Sequence, residues 1–201
     1  RDEKQNIEQL KKYYVESLPV LQENFLTSLV TGEIPKNRIE RYALNYQIDL
    51  SGKYYSVTVL QLGADKDAGG NSTLNPLLLS MAVKRLVEEQ LKEGWKIYTA
   101  SYLRDIVILT QLNNREDIAC FTDDMDKLCK MAKRVCLATV TAGVGYVCEK
   151  PEQLLISYEG AKNAISYGVL YGTGKAINIA EVDPEGKEDF VWEEDYIRNF
   201  M

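Results

Sequence analysis

Two stretches of this sequence hold residue types that do chemistry when brought together. Gly172-Thr173-Gly174-Lys175 has the composition of a phosphate-cradling loop, and Asp123, Asp124 and Asp126 crowd three carboxylates into four positions, as a cation site would. Each has a plainer reading. A phosphate loop follows a strand and opens a helix, so that backbone N–H groups and the helix dipole face the anion; Gly172 follows a helical pattern and precedes a strand, so the run reads as a helix C-cap and tight turn. The aspartates read as first-turn residues of a helix capped by Thr122, where the dipole favours negative charge, with Lys133 and Arg134 in the last turn. Gly143 and Gly145 lie inside a strand pattern and read as permitting close helix packing or a bulge rather than ligand contact.

What is missing narrows the chemistry further. The 201 residues contain no histidine, which removes Ser-His-Asp and Cys-His catalysis, histidine-bound metals and a phospho-accepting histidine. Cys120, Cys129, Cys136 and Cys148 match no zinc spacing and read as reduced, buried thiols. A net charge of −6 argues against a grip on a phosphate backbone. There is no apolar run of roughly 20 residues and no signal-peptide pattern, so a cytoplasmic protein without membrane contact is expected. The ends, at Arg1 and Met201, read as those of a segment of a longer protein.

The elements that would position any site follow from periodicity. Ile7, Leu10, Tyr14, Leu18, Leu21, Phe25 and Leu29 make one stripe on a long helix interrupted by Pro19, which either kinks it or opens a second helix. Before Pro19 the stripe suits either packing on the domain or pairing between protomers; after it, packing on the domain. A short helix follows Pro35, and Tyr13, Tyr14, Tyr42, Tyr46, Tyr54 and Tyr55 gather where these helices join the next segment. Strands are predicted over Lys53–Leu62, Trp95–Tyr102, Ile106–Leu112, Leu137–Val147 and Ala176–Ala180, with helices opening at Asn75-Pro76, Thr122 and Pro151. The fold class is therefore α/β (α+β): a ferredoxin-like βαββαβ core extended by an αβ unit, with an N-terminal helical segment. Residues 1–50 form a helical linker or dimerisation segment and 53–180 the core domain; 181–201 are a linker and the start of a helix at Val191 that leads out of it.

The strand order and three local stretches resemble the GGDEF domains of diguanylate cyclases: Thr139–Gly145, Tyr158–Tyr167 and Gly172–Ile177. In that family two carboxylates on the first strand and a Glu in the signature hairpin hold divalent metal against a nucleoside triphosphate. The resemblance places Gln61 and Gly63 at the first-strand positions and Leu103-Arg104-Asp105-Ile106-Val107 at the hairpin, so only Asp105 survives. It implies a degenerate site with no catalytic, metal-binding or cofactor-binding residue assigned and no cofactor, while Asp65 and Asp67, in the loop near where a nucleotide binds in active relatives, leave room for ion or ligand binding.

The stretch Glu16–Leu26, then Gly32-Glu33-Ile34 and Tyr46–Leu50, is similar to the region between the phospho-receiver and the AraC-type helix-turn-helix in YesN-like two-component response regulators. The resemblance implies a non-catalytic signalling domain of a bacterial transcriptional regulator. Such a domain would dimerise through its N-terminal helix, touch DNA only through a C-terminal helix-turn-helix module that is not among these residues, and relay input to that module. The competing expectation is a small-molecule or nucleotide-sensing domain of a transcriptional regulator or sensor kinase.

Overall fold

Tyr54–Ala64, rich in β-branched and aromatic residues, is the central strand β1, and its alternation decides what each side of the sheet buries. Tyr55, Val57 and Val59 point to one layer; Leu60 and the half-buried Leu62 point to the other. The computed structural model describes residues 2–64 and 75–186; the loop with Asp65 and Asp67, and the helix expected from Val191, lie outside the described residues.

Around β1 the sheet runs β2-β3-β1-β4-β5. β2 (Lys96–Tyr102) and β3 (Asp105–Leu112) form a tight antiparallel hairpin, and β3 pairs antiparallel with β1. β4 (Ala138–Val144) pairs antiparallel on the other side of β1, and β5 (Ala176–Asn178) adds a short parallel edge. Taken with its helices this is the expected ferredoxin-like βαββαβ order plus an αβ extension, so the α/β class read from the sequence holds.

Helices α3 (Pro76–Leu91) and α4 (Asp117–Val135) cover one face, where Phe121 and Met125 are fully buried among Leu60, Ile106, Ile108 and Val140. The other face is covered by α5 (Leu154–Ser166), the second half of α1 (Asp2–Val30) and α2 (Lys36–Asn45). Each fully buried Leu, Val, Ile or Phe in these layers contributes roughly 1.5–3 kcal/mol relative to exposure. A turn of helix, α6 (Gly168–Tyr171), and another, α7 (Ile179–Val182), flank β5.

Several elements differ from their predicted bounds. Thr122 is not a cap: α4 begins five residues earlier, and the Thr122 hydroxyl donates to the carbonyl of Ile118 inside the helix, 2.7 Å away. Asp123, Asp124 and Asp126 therefore lie outside the first turn, whose acid is Asp117; Lys133 and Arg134 do close the helix. Pro151 opens a single 3-10 turn before α5 rather than α5 itself. Cys129, Cys136 and Cys148 are buried and unbridged, but Cys120 is exposed, since it lies on the solvent side of α4.

The joint between α1 and the sheet also sorts the tyrosines. Tyr46 stacks obliquely on Phe25 and on Tyr42, and Tyr55 is buried beside them. Tyr54 faces the opposite layer, as strand alternation requires, and lies under the guanidinium of Arg115; Tyr13 is exposed.

α1 runs without interruption through Pro19. Phe25, Leu26, Leu29 and Val30 are buried against the sheet, as the stripe after Pro19 predicted, whereas Ile7, Leu10 and Tyr14 are 52%, 67% and 41% exposed on the half before it. Among the described residues, the one side-chain hydrogen bond from residues 2–18 to the body is from the Tyr14 hydroxyl to the carbonyl of Asn45, 2.7 Å.

Candidate functional site

At the end of β1 the sheet opens into a cavity of about 310 Å³. β1 supplies Gln61, Leu62 and Gly63; the β2–β3 hairpin supplies Arg104 and Asp105. Thr139 and Thr141 of β4 face it, together with Thr173 from the turn after α6. The four positions singled out for a site in the sequence, Gln61, Gly63, Arg104 and Asp105, are thus brought together.

The hairpin is built tightly. Tyr102 pairs with Asp105, leaving Leu103 and Arg104 as the two connecting residues. Leu103 sits at φ +56°, a backbone conformation natural to glycine, while its side chain is 84% exposed.

Asp105 is half-buried, and burial raises its pKa above the ordinary carboxylate value, partly offset by the positive charge of Lys162 on α5. The Lys162 ammonium rests 4.7 Å from the centre of the Tyr158 ring. Burial, with the neighbouring Tyr102, Glu159 and Asp105, pushes the Tyr158 phenol up to about 12. Behind the threonines, the Thr141 hydroxyl accepts the backbone N–H of Gly174 at 3.0 Å.

The other sequence candidates take structural places. Gly172 and Gly174 have φ of +93° and +74° in the turn from α6 to β5, as a C-cap and tight turn require. Asp124 accepts from the indole N–H of Trp95 at 2.9 Å, and Asp126 accepts the backbone N–H of Ala176 at 3.1 Å while pairing with Lys130 at 2.9 Å. Burial opposes ionisation of Asp126, yet the Lys130 and Ala176 hydrogen bonds hold its pKa below the usual value. These two aspartates fasten α4 to its neighbours. Gly143 and Gly145 lie under α5, close packing of the kind read from the sequence.

A divalent cation calls for several hard oxygen donors converging on one point. Among the described residues the cavity is lined by a single carboxylate, Asp105, beside an amide, three hydroxyls and a guanidinium. Among the described residues no three His, Cys, Asp or Glu side chains are placed to hold a metal ion. The described donors alone do not make up such a set. Sequence reasoning passed over Thr139 and Thr141 and read the run holding Thr173 as a tight turn; the signal that could have found the first two is their spacing of two in a strand, which sends both hydroxyls to one face.

No helix among the described residues is long and apolar enough to cross a membrane. None of the curated proteins compared with the chain matches it. Residues 31–167 match the family described as GGDEF-like domain. That span takes in α2, the hairpin, the cavity apart from Thr173, and α5, and is more than half of the sequence: the chain belongs to the GGDEF-like domain family.

Proposed function

We propose that this chain is a non-catalytic signalling and dimerisation domain of a bacterial transcriptional regulator, of the two-component, AraC-type kind, that pairs through α1 and relays input to a DNA-binding module beyond these residues. The observation that carries the reading is the contrast within α1: its second half is built into the core, while the half before Pro19 leaves the body with Ile7, Leu10 and Tyr14 exposed on one stripe. A second copy of the same helix is the partner such a stripe suits, because like stripes at three-and-four spacing bury each other. Relay then requires two packings of the paired helices that the input biases through differential contacts.

Loss of catalysis is part of the same reading. Nucleotidyl transfer by the family's chemistry needs metal to polarise the phosphates, and the reading is supported by Asp105 being the one carboxylate among the described residues that line the cavity. Incubation with GTP and magnesium or manganese is expected to give no cyclic dinucleotide, and formation of product would overturn it.

Sedimentation of the full chain tests the pairing. A concentration-dependent dimer is expected, converted to monomer by Ile7→Glu with Leu10→Glu, both exposed and therefore harmless to folding. A monomer at high concentration in the unsubstituted chain would refute the dimer role.

A further inference from the structure

The cavity has a chemical character of its own. Arg104 and Asp105, adjacent in sequence, both line it, and among the described residues neither is engaged in an ion pair. A guanidinium is a planar donor fork matched to a carboxylate. Half-buried Asp105 lacks a cation within bonding distance, with Lys162 acting on it only through space. Thr173 adds a hydroxyl, and Thr141, already accepting from Gly174, has its proton to give, while the Thr139 hydroxyl accepts from the Lys133 ammonium at 3.4 Å.

Size and charge together restrict the occupant. About 310 Å³ lies at the bottom of the range of ligand cavities, which suits a molecule of amino-acid dimensions rather than a nucleoside triphosphate. A triphosphate would also bring its negative charge against the Asp105 carboxylate. A ligand carrying only a negative charge would leave half-buried Asp105 without a partner, whereas opposite charges a few bonds apart satisfy both Asp105 and the exposed Arg104.

We propose that the cavity between β1, the β2–β3 hairpin and β4 binds a small zwitterion of the α-amino-acid type without metal, its carboxylate on Arg104 and its ammonium on Asp105. The site does not depend on the relay reading: dimerisation is tested by sedimentation and this site by binding, so one can fail without the other.

The test is a thermal-shift and calorimetric titration of the full chain with the proteinogenic amino acids one at a time, with acetate, methylammonium and inorganic phosphate as single-charge probes. At least one amino acid is expected to raise Tm by roughly 5–10 °C at a hundredfold excess over its Kd, with the single-charge probes silent. Arg104→Ala and Asp105→Asn should each weaken that binding tenfold or more while leaving the circular dichroism spectrum unchanged. Because Arg104 is exposed, Arg104→Glu serves as a second variant that folds and should abolish binding. Silence across all the amino acids, an equal response to acetate or phosphate alone, or unchanged affinity in both Arg104 variants would overturn the proposal.

Discussion

Gly143 of β4 lies so close beneath α5 that a Cβ on it would come well under 3.0 Å from the carbonyl oxygen of Ala161. Gly145 has the same relation to the carbonyl of Ser157, whose hydroxyl accepts the N–H of Val57 on β1 at 2.7 Å. The two glycines let a helix backbone rest on a strand backbone, and that approach fixes the height of α5 above the sheet. Gly143→Ala is expected to cost about 2–3 kcal/mol by overpacking against backbone that cannot swing aside. Gly94→Ala, with nothing within 4 Å of the new methyl, should change stability by less than about 0.5 kcal/mol. Urea unfolding of the two variants checks the pair, and equal losses would contradict the packing argument.

Leu103 holds a left-handed backbone conformation at the tip of the hairpin and buries little. Leu103→Gly removes the steric cost of that φ, about 1–2 kcal/mol, and is partly offset by the greater freedom of glycine in the unfolded chain. A net gain of roughly 0.5–1 kcal/mol in chemical denaturation is expected. A loss would mean that the leucine side chain makes contacts worth more than the backbone strain.

The hydroxyls of Thr58 and Thr110 are buried without a hydrogen-bond partner among the described residues. Thr110→Val keeps the shape and deletes the desolvated hydroxyl, so it should stabilise the fold by about 1 kcal/mol. Thermal unfolding reads the effect, and destabilisation would show that the hydroxyl is satisfied in solution.

Asp105 gives a pH signature. Its folded pKa is raised above the unfolded value, so the protonated form favours the fold at low pH and that contribution is lost as pH rises through the folded pKa. The groups that interact with it electrostatically are Lys162 and Tyr158. Tyr158, whose phenol is pushed up to about 12, does not titrate in the carboxylate range. Asp105→Asn is therefore expected to raise Tm near pH 7, with the advantage over the unsubstituted chain shrinking below about pH 4. A difference independent of pH would exclude ionisation of Asp105 as its cause.

Much of this architecture could be read from residue patterns, because strands such as Tyr54–Ala64 are dense in β-branched and aromatic residues and the glycines in and just after β4 had few other uses. The start of α4 could not. Three aspartates after Thr122 imitate a helix N-terminus, and only the continuing apolar positions Ile118 and Phe121 show that the helix is already under way. The tyrosine cluster misled in a different way: neighbours in sequence, Tyr54 and Tyr55 part company across the sheet. At the cavity, Gln61, Gly63 and the hairpin were legible by resemblance, but Thr139, Thr141 and Thr173 gain meaning only when β4 and the turn after α6 close around them, a matter of tertiary contact rather than local pattern.

Pro19 stands where α1 passes from solvent to core, and having no amide hydrogen it cannot bond the carbonyl of Val15 one turn earlier. A 29-residue helix is a rod about 43 Å long, here with its weakest turn at the edge of its mounting. The leading residues accordingly form a lever arm with a built-in fulcrum: sideways force on them bends the rod at Pro19, while twist passes the proline and reaches the clamped end at Phe25 and Leu29.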